Sequence, residues 1–183
     1  PNGLHYFNLT VVDILKNNKT IWASNLTVNE TSGANKIIIN NSLSIPNNQT
    51  IINASETASA TIEFKTNRSV SNTIATISSY TQNPGTPNTG IPALNKYLEI
   101  TTDSQLNDSL SWAVITIYYN DSDIPPGYNE NNLRIYYNAP NGSWSPYISP
   151  NGGVNVSANY VWANTTHFSL FGIYVLPTCS DGL

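Results

Sequence analysis

Residues 112–120 read WAVITIYYN, and in an extended chain Ala113, Ile115, Ile117 and Tyr119 share one face while Asn120 takes the other. The run is dense in β-branched side chains, which pack well on a pleated surface and lower helix propensity. The same period of two recurs on either side of it. Trp22, Ser24, Leu26 and Val28 alternate with Asn25, Thr27 and Asn29; Ile62 and Phe64 alternate with Glu63, Lys65 and Asn67; Val154 and Val156 flank Asn155. In each segment an Asn-x-Ser/Thr asparagine falls opposite the apolar face. No apolar i, i+3, i+4, i+7 stripe runs beyond two turns, so little or no α-helix is expected. Turn signals separate the segments at Ile45-Pro46-Asn47, in the Pro/Gly-rich span 83–92, at Ile124-Pro125-Pro126-Gly127, at Asn141-Gly142 and at Asn151-Gly152-Gly153. These patterns predict an all-β fold, an antiparallel β-sandwich of pilin-like or immunoglobulin-like kind.

Composition narrows the class of protein. Only 10% of the 183 residues are charged, where about 25% is usual in globular chains. The 39% apolar content is enough for one packed domain. Seven basic against eleven acidic residues give a net charge of −4, which excludes the clustered basic surface of a nucleic-acid binder. The longest apolar runs, Trp112–Tyr119 and Leu170–Leu176, fall short of the roughly 20 residues that span a bilayer, so no membrane span is expected. The absence of Met and of a charged-then-apolar leader suggests a mature chain whose targeting segment has been removed.

Amides and hydroxyls replace the missing charge: 28 Asn, 20 Ser and 19 Thr. Random placement would yield about six Asn-x-Ser/Thr acceptors. There are 13, at Asn8, Asn18, Asn25, Asn29, Asn40, Asn48, Asn53, Asn67, Asn107, Asn120, Asn141, Asn155 and Asn164. The excess predicts a heavily N-glycosylated, exported protein with covalent glycans and no other cofactor. The lone Cys179 provides no internal disulfide. Few titrating groups also leave little stability dependent on carboxylate ionisation, a composition compatible with acid.

The amino-terminal stretch LHYFNLTVVDIL, residues 4–15, places Phe7, Leu9 and Val11 on one face and Asn8 and Thr10 on the other. Such a strand either pairs inside its own sandwich or leaves it to fill a groove in a neighbouring copy, which is donor-strand complementation. The second arrangement, repeated head to tail, generates an open filament, a homopolymer of identical subunits. On that reading residues 1–15 are the donor strand, with Phe7, Leu9 and Val11 as the inserted residues. Lys16-Asn17-Asn18-Lys19 begins the linker, and residues 16–183 form the body.

No arrangement of reactive side chains emerges. The two histidines, His5 and His167, stand in the terminal strand and in the stretch 163–174, without the spacing of a catalytic set. Asn120, Asp121 and Asp123 lack the regular oxygen ligands of a calcium loop. The remaining acids are scattered, and Lys36 and Lys65 read as surface lysines rather than partners in an isopeptide cross-link. The expectation is a protein that is not an enzyme and holds no metal. Trp22, Trp112, Trp144 and Trp162, with eleven Tyr, leave a rival reading, a carbohydrate-binding face, since aromatic rings offer sugars flat apolar surfaces.

From residue 60 to residue 175 the chain resembles the PGF-pre-PGF domain of archaeal surface proteins. The resemblance is carried by IPALNKYLEI (91–100), AVITIYY (113–119), YNENNLRIYY (128–137), NGSW (141–144) and ANTTHFSLFGIY (163–174). It implies a non-catalytic extracellular β module at an archaeal cell surface. The combination of glycan density, low charge, all-β body and apolar leading strand resembles the thread pilins of thermoacidophilic archaea of the Sulfolobus type. That resemblance implies a donor-strand filament serving adhesion, biofilm or cell-to-cell contact. A surface-layer-associated glycoprotein, or a carbohydrate-binding module of a larger envelope protein, is the alternative.

Overall fold

Alternation of apolar and polar residues builds two antiparallel sheets that face each other across a common core, as a sandwich requires. The computed structural model describes residues 26–31, 34–45, 47–87 and 90–177, with side chains from Ile45 onward apart from Thr57. One sheet has seven strands in the order β1 (Leu26–Thr31), β2 (Ala34–Ile45), β5 (Val70–Tyr80), β6 (Ala93–Thr102), β12 (Leu170–Val175), β8 (Leu133–Asn138) and β9 (Trp144–Pro146). The other has five, β10 (Gly152–Asn155), β11 (Tyr160–Thr165), β7 (Leu110–Tyr118), β4 (Ala60–Thr66) and β3 (Gln49–Ala54). The predicted sandwich is the observed fold.

The inward faces are those read from alternation. Ala60, Ile62 and Phe64 of β4, Ala113, Ile115 and Ile117 of β7, and Val161 and Ala163 of β11 are buried. They meet Leu98 and Ile100 of β6, Phe171, Ile173 and Val175 of β12, and Leu133 and Ile135 of β8. Each buried Ile, Leu, Val or Phe contributes about 1.5–3 kcal/mol of transfer free energy against the entropy of ordering it. Phe168 closes one end of this core, edge-on to Phe64 with ring centroids 6.0 Å apart.

Among the described residues α-helix is confined to two single turns, α1 (Ser55–Ala58) and α2 (Ser104–Asn107). Neither carries an apolar stripe, and each joins two strands. The second exists because Asp103 caps it: the carboxylate accepts from the Leu106 N–H at 2.9 Å, from the Thr73 hydroxyl at 2.8 Å and from the Ile74 N–H at 2.8 Å. One residue thus fastens the β6–β7 connection onto β5.

Two local expectations are corrected. Val156 does not continue the buried row of Val154; it enters a 3₁₀ turn over Val156–Ala158 and is 36% exposed. Asn155 makes that turn by accepting from the Ala158 N–H at 3.1 Å. At Asn151-Gly152-Gly153 the turn ends one residue in, because β10 already begins at Gly152.

The outer side of the seven-stranded sheet is not solvated at its centre. Tyr97, Tyr136 and Tyr174 are buried there, with Tyr80, Leu170 and Trp144 packed around them. Within the span read as turn punctuation, 83–92, Asn83, Thr86 and Ile91 lie against these rings. Trp144 Nε1 donates to the Thr86 carbonyl at 2.7 Å, and Asn83 Nδ2 donates to the Tyr174 hydroxyl at 3.4 Å. Gly172 makes the layer possible: a Cβ there would stand 2.7 Å from Tyr97 Cδ1.

Candidate functional site

Strand order places β3 at an edge of the five-stranded sheet. Residues of α1, which connects β3 to β4, contact β2, while β8 contacts β10 and β11. In the seven-stranded sheet β1 and β9 are the outermost strands, and in the five-stranded sheet β10 and β3 are. Strand β3 pairs with β4 alone and presents its other rim of N–H and C=O groups to no strand among the described residues. Ile52 is half-buried and packs against the core, and Ile51 is half-buried on the outer face.

Natural edges are blunted by short strands, proline, bulges or charge. Edge strand β9 has three residues and ends on Pro146, and edge strand β10 has four, two of them glycine. Strand β3, QTIINA, carries no proline and no charge. Its one protection is polar: the Gln49 amide hydrogen-bonds the Glu63 carboxylate across the strand pair, and Asn53 stands exposed near the end of the strand.

Of the eight Asn-x-Ser/Thr asparagines whose side chains are described, seven are exposed: Asn48, Asn53, Asn67, Asn107, Asn120, Asn141 and Asn164. Asn155 is half-buried, its Nδ2 donating to the Tyr160 hydroxyl at 3.1 Å. Asn29 lies in β1 and Asn40 in β2, where side chains are not described. Asn8, Asn18 and Asn25 lie outside the described residues, as do the donor residues Phe7, Leu9 and Val11, Trp22, His5 and Cys179. The acceptors differ in their hydroxyl partner. Ser109, which completes the Asn107 acceptor, is fully buried and donates to the Leu106 carbonyl at 2.9 Å. Thr166, which completes the Asn164 acceptor, is exposed.

Register sets a grid on the outer face of the five-stranded sheet. One row across the strands is Ile51, Glu63, Val114 and Asn164; the next is Asn53, Thr61, Thr116, Trp162 and Gly153. On the other side of the first row lie Gln49, Lys65 and Trp112. Trp112 and Trp162 are half-buried, and the Trp162 indole lies across Gly153, where a Cβ would come within 3.2 Å of Nε1. Trp144 belongs instead to the covered aromatic layer, 6.1 Å from Tyr97 and 5.1 Å from Tyr174 between ring centroids. Two of the four tryptophans thus share an open face.

The polar groups singled out from sequence are tied to the framework. Asp123 accepts from the Asn120 N–H at 2.7 Å and pairs with Lys96 at 3.1 Å, while Asp121 accepts from Asn159 Nδ2 at 2.6 Å. Among the described residues no group of three or more His, Cys, Asp or Glu converges on a point. Lys65 is exposed on the outer face. His167 is half-buried, edge-on to Tyr137 at 5.1 Å, with Nδ1 3.2 Å from the Thr165 hydroxyl; burial lowers its pKa. Burial and the hydrogen bond to Glu130, 2.6 Å long, raise the pKa of Tyr119 well above the ordinary phenol range. The shallow hollow between β6 and β12 is lined by one carboxylate, Glu99, which already accepts from the Tyr80 hydroxyl at 2.7 Å.

Among the described residues no helix is long and apolar enough to cross a membrane. Comparison with protein-family models, with curated proteins and with solved structures finds no match.

Proposed function

We propose that this chain is the structural subunit of an extracellular, glycosylated filament, assembled head to tail as residues 4–15 of one copy pair with the free edge of β3 in the next. The observation that carries the reading is that edge: a strand without charge or proline that pairs on one side only among the described residues. An incoming strand there would gain ladder hydrogen bonds from β3 and contact with its half-buried Ile52. Phe7, Leu9 and Val11 supply the apolar residues at alternate positions that this geometry requires. Burying three to five such side chains at about 1.5–3 kcal/mol each, with several hydrogen bonds at about 1 kcal/mol, offsets the ordering cost and leaves a junction that rarely opens. The contact is heterologous and does not close on itself, so it propagates as a fibre. Glycans on the exposed asparagines shield the sheet faces from proteases and from lateral sticking, which suits a thread for adhesion, biofilm or cell-to-cell contact.

The test is the double substitution Phe7→Asp with Leu9→Asp, followed by electron microscopy of the purified protein. Monomers or short, unstable chains are expected; normal fibres would sink the donor assignment. Trp112 and Trp162 on an open face favour a second reading, a carbohydrate-binding module. That reading requires a monodisperse protein with measurable affinity for glycans, and a surface-layer subunit would give planar arrays instead.

A further inference from the structure

We infer that the Trp112–Trp162 face is the seat of the protein's own glycan, attached at Asn164, and not a site for foreign carbohydrate. The inference rests on the glycoprotein reading and adds to it a specific acceptor and a specific bed for its sugar. Asn164 is exposed on β11, two residues from Trp162 on the same face, so their Cα atoms are separated by about 7 Å along the strand. Directly across the strand pair from Asn164 is Val114, and Trp112 follows two residues before it on the same face. Diagonal neighbours of this kind lie about 7–8 Å apart, within reach of long and aromatic side chains. An N-linked sugar starting at Asn164 Nδ2 therefore begins between two indoles with Val114 beneath it.

The chemistry of the two surfaces matches. A pyranose has a face of C–H bonds and a rim of hydroxyls, and an indole offers a flat apolar surface with an electron-rich face. The framework holds the tryptophans in place to receive it. Gly153 leaves room for the Trp162 ring, and the Asn164 N–H is fixed to the Asn151 carbonyl at 2.8 Å. The hydroxyl needed for acceptor recognition, Thr166, is exposed, in contrast to the buried Ser109 of the Asn107 acceptor. Without a covering, half-buried Trp, Val and Ile side chains on this face would be an adhesive patch between neighbouring threads.

The experiment compares native glycosylated protein with the Thr166→Ala variant, made in the same host, by hydroxyl-radical footprinting read by mass spectrometry. Thr166→Ala removes the acceptor and leaves Asn164 in place. Ser143→Ala, which removes the Asn141 acceptor on the opposite sheet, is the control. A glycan on Asn164 and a severalfold rise in oxidation of Trp112 and Trp162 in Thr166→Ala, with no rise in Ser143→Ala, is the expected result. Enzymatic deglycosylation of folded native protein should produce the same rise. Equal oxidation with and without the glycan overturns the inference, as does a bare Asn164 on a chain whose other acceptors are modified. A chain without any glycan would overturn the glycoprotein reading itself.

Discussion

Replacing Asp103 by Ala removes a single carboxylate that holds together a cap, a buried hydroxyl and two strands. Loss of the cap on α2 costs about 1 kcal/mol. Thr73, whose hydroxyl donates to Asp103 Oδ1 at 2.8 Å, is fully buried, and leaving it unpaired costs a further 1–3 kcal/mol or so. The Ile74 N–H is near solvent and regains a water, so it adds little. Asp103→Ala should therefore lose about 2–4 kcal/mol, which for a chain of this length lowers Tm by roughly 5–15 °C. The effect also depends on pH. Partial burial opposes ionisation of Asp103, but hydrogen bonds from the Leu106 N–H, the Thr73 hydroxyl and the Ile74 N–H outweigh it and hold its pKa below the ordinary carboxylate value. A folded-state pKa lowered in this way gives stability that is fully present above the unfolded pKa of about 3.9 and is lost as pH falls through the folded one. Denaturant titrations of wild type, Asp103→Asn and Asp103→Ala at neutral pH and in acid measure this. The gap between wild type and Asp103→Asn should narrow below the folded pKa. A neutral-pH loss under about 0.5 kcal/mol for Asp103→Ala would refute the reasoning, because no surface substitution away from such a network costs more.

Gly172→Ala inserts a Cβ 2.7 and 2.9 Å from two atoms of the Tyr97 ring and 3.0 Å from Tyr174. Both rings are buried, so the strain should cost about 1–3 kcal/mol in thermal or chemical unfolding, and a neutral substitution would show that the aromatic layer is loose. Burial depresses the pKa of His167 below that of a free imidazole. Its share of stability is present above the unfolded value of about 6.5 and is lost as pH falls through the folded one. His167→Gln should remove that part of the pH slope, and an unchanged slope in the variant would contradict the assignment.

Alternation in the sequence made the buried rows of β4 and β7 legible, because in those strands tertiary contact and local pattern agree. It failed where a second layer covers the outer face. A period of two assigns Tyr97, Tyr136 and Tyr174 to solvent, and only their mutual packing and the approach of Asn83, Thr86 and Ile91 make them a core. The same reason places Trp144 in that layer. Val156 was misread because Asn155 spends its side chain on a turn instead of facing water. Acceptor asparagines were readable as a set, yet the difference between Asn107, with its buried Ser109, and Asn164, with its exposed Thr166, is a property of packing. The free edge of β3 was beyond reach of any local pattern, since strand order is fixed by which rows bury each other.

A reconstruction of the native fibre at side-chain resolution tests the central claim most directly. The account predicts residues 4–15 of one subunit lying beside Gln49–Ala54 of the next, with Phe7, Leu9 and Val11 turned inward. Residues 4–15 paired within their own subunit, or subunits joined through another edge, would contradict it.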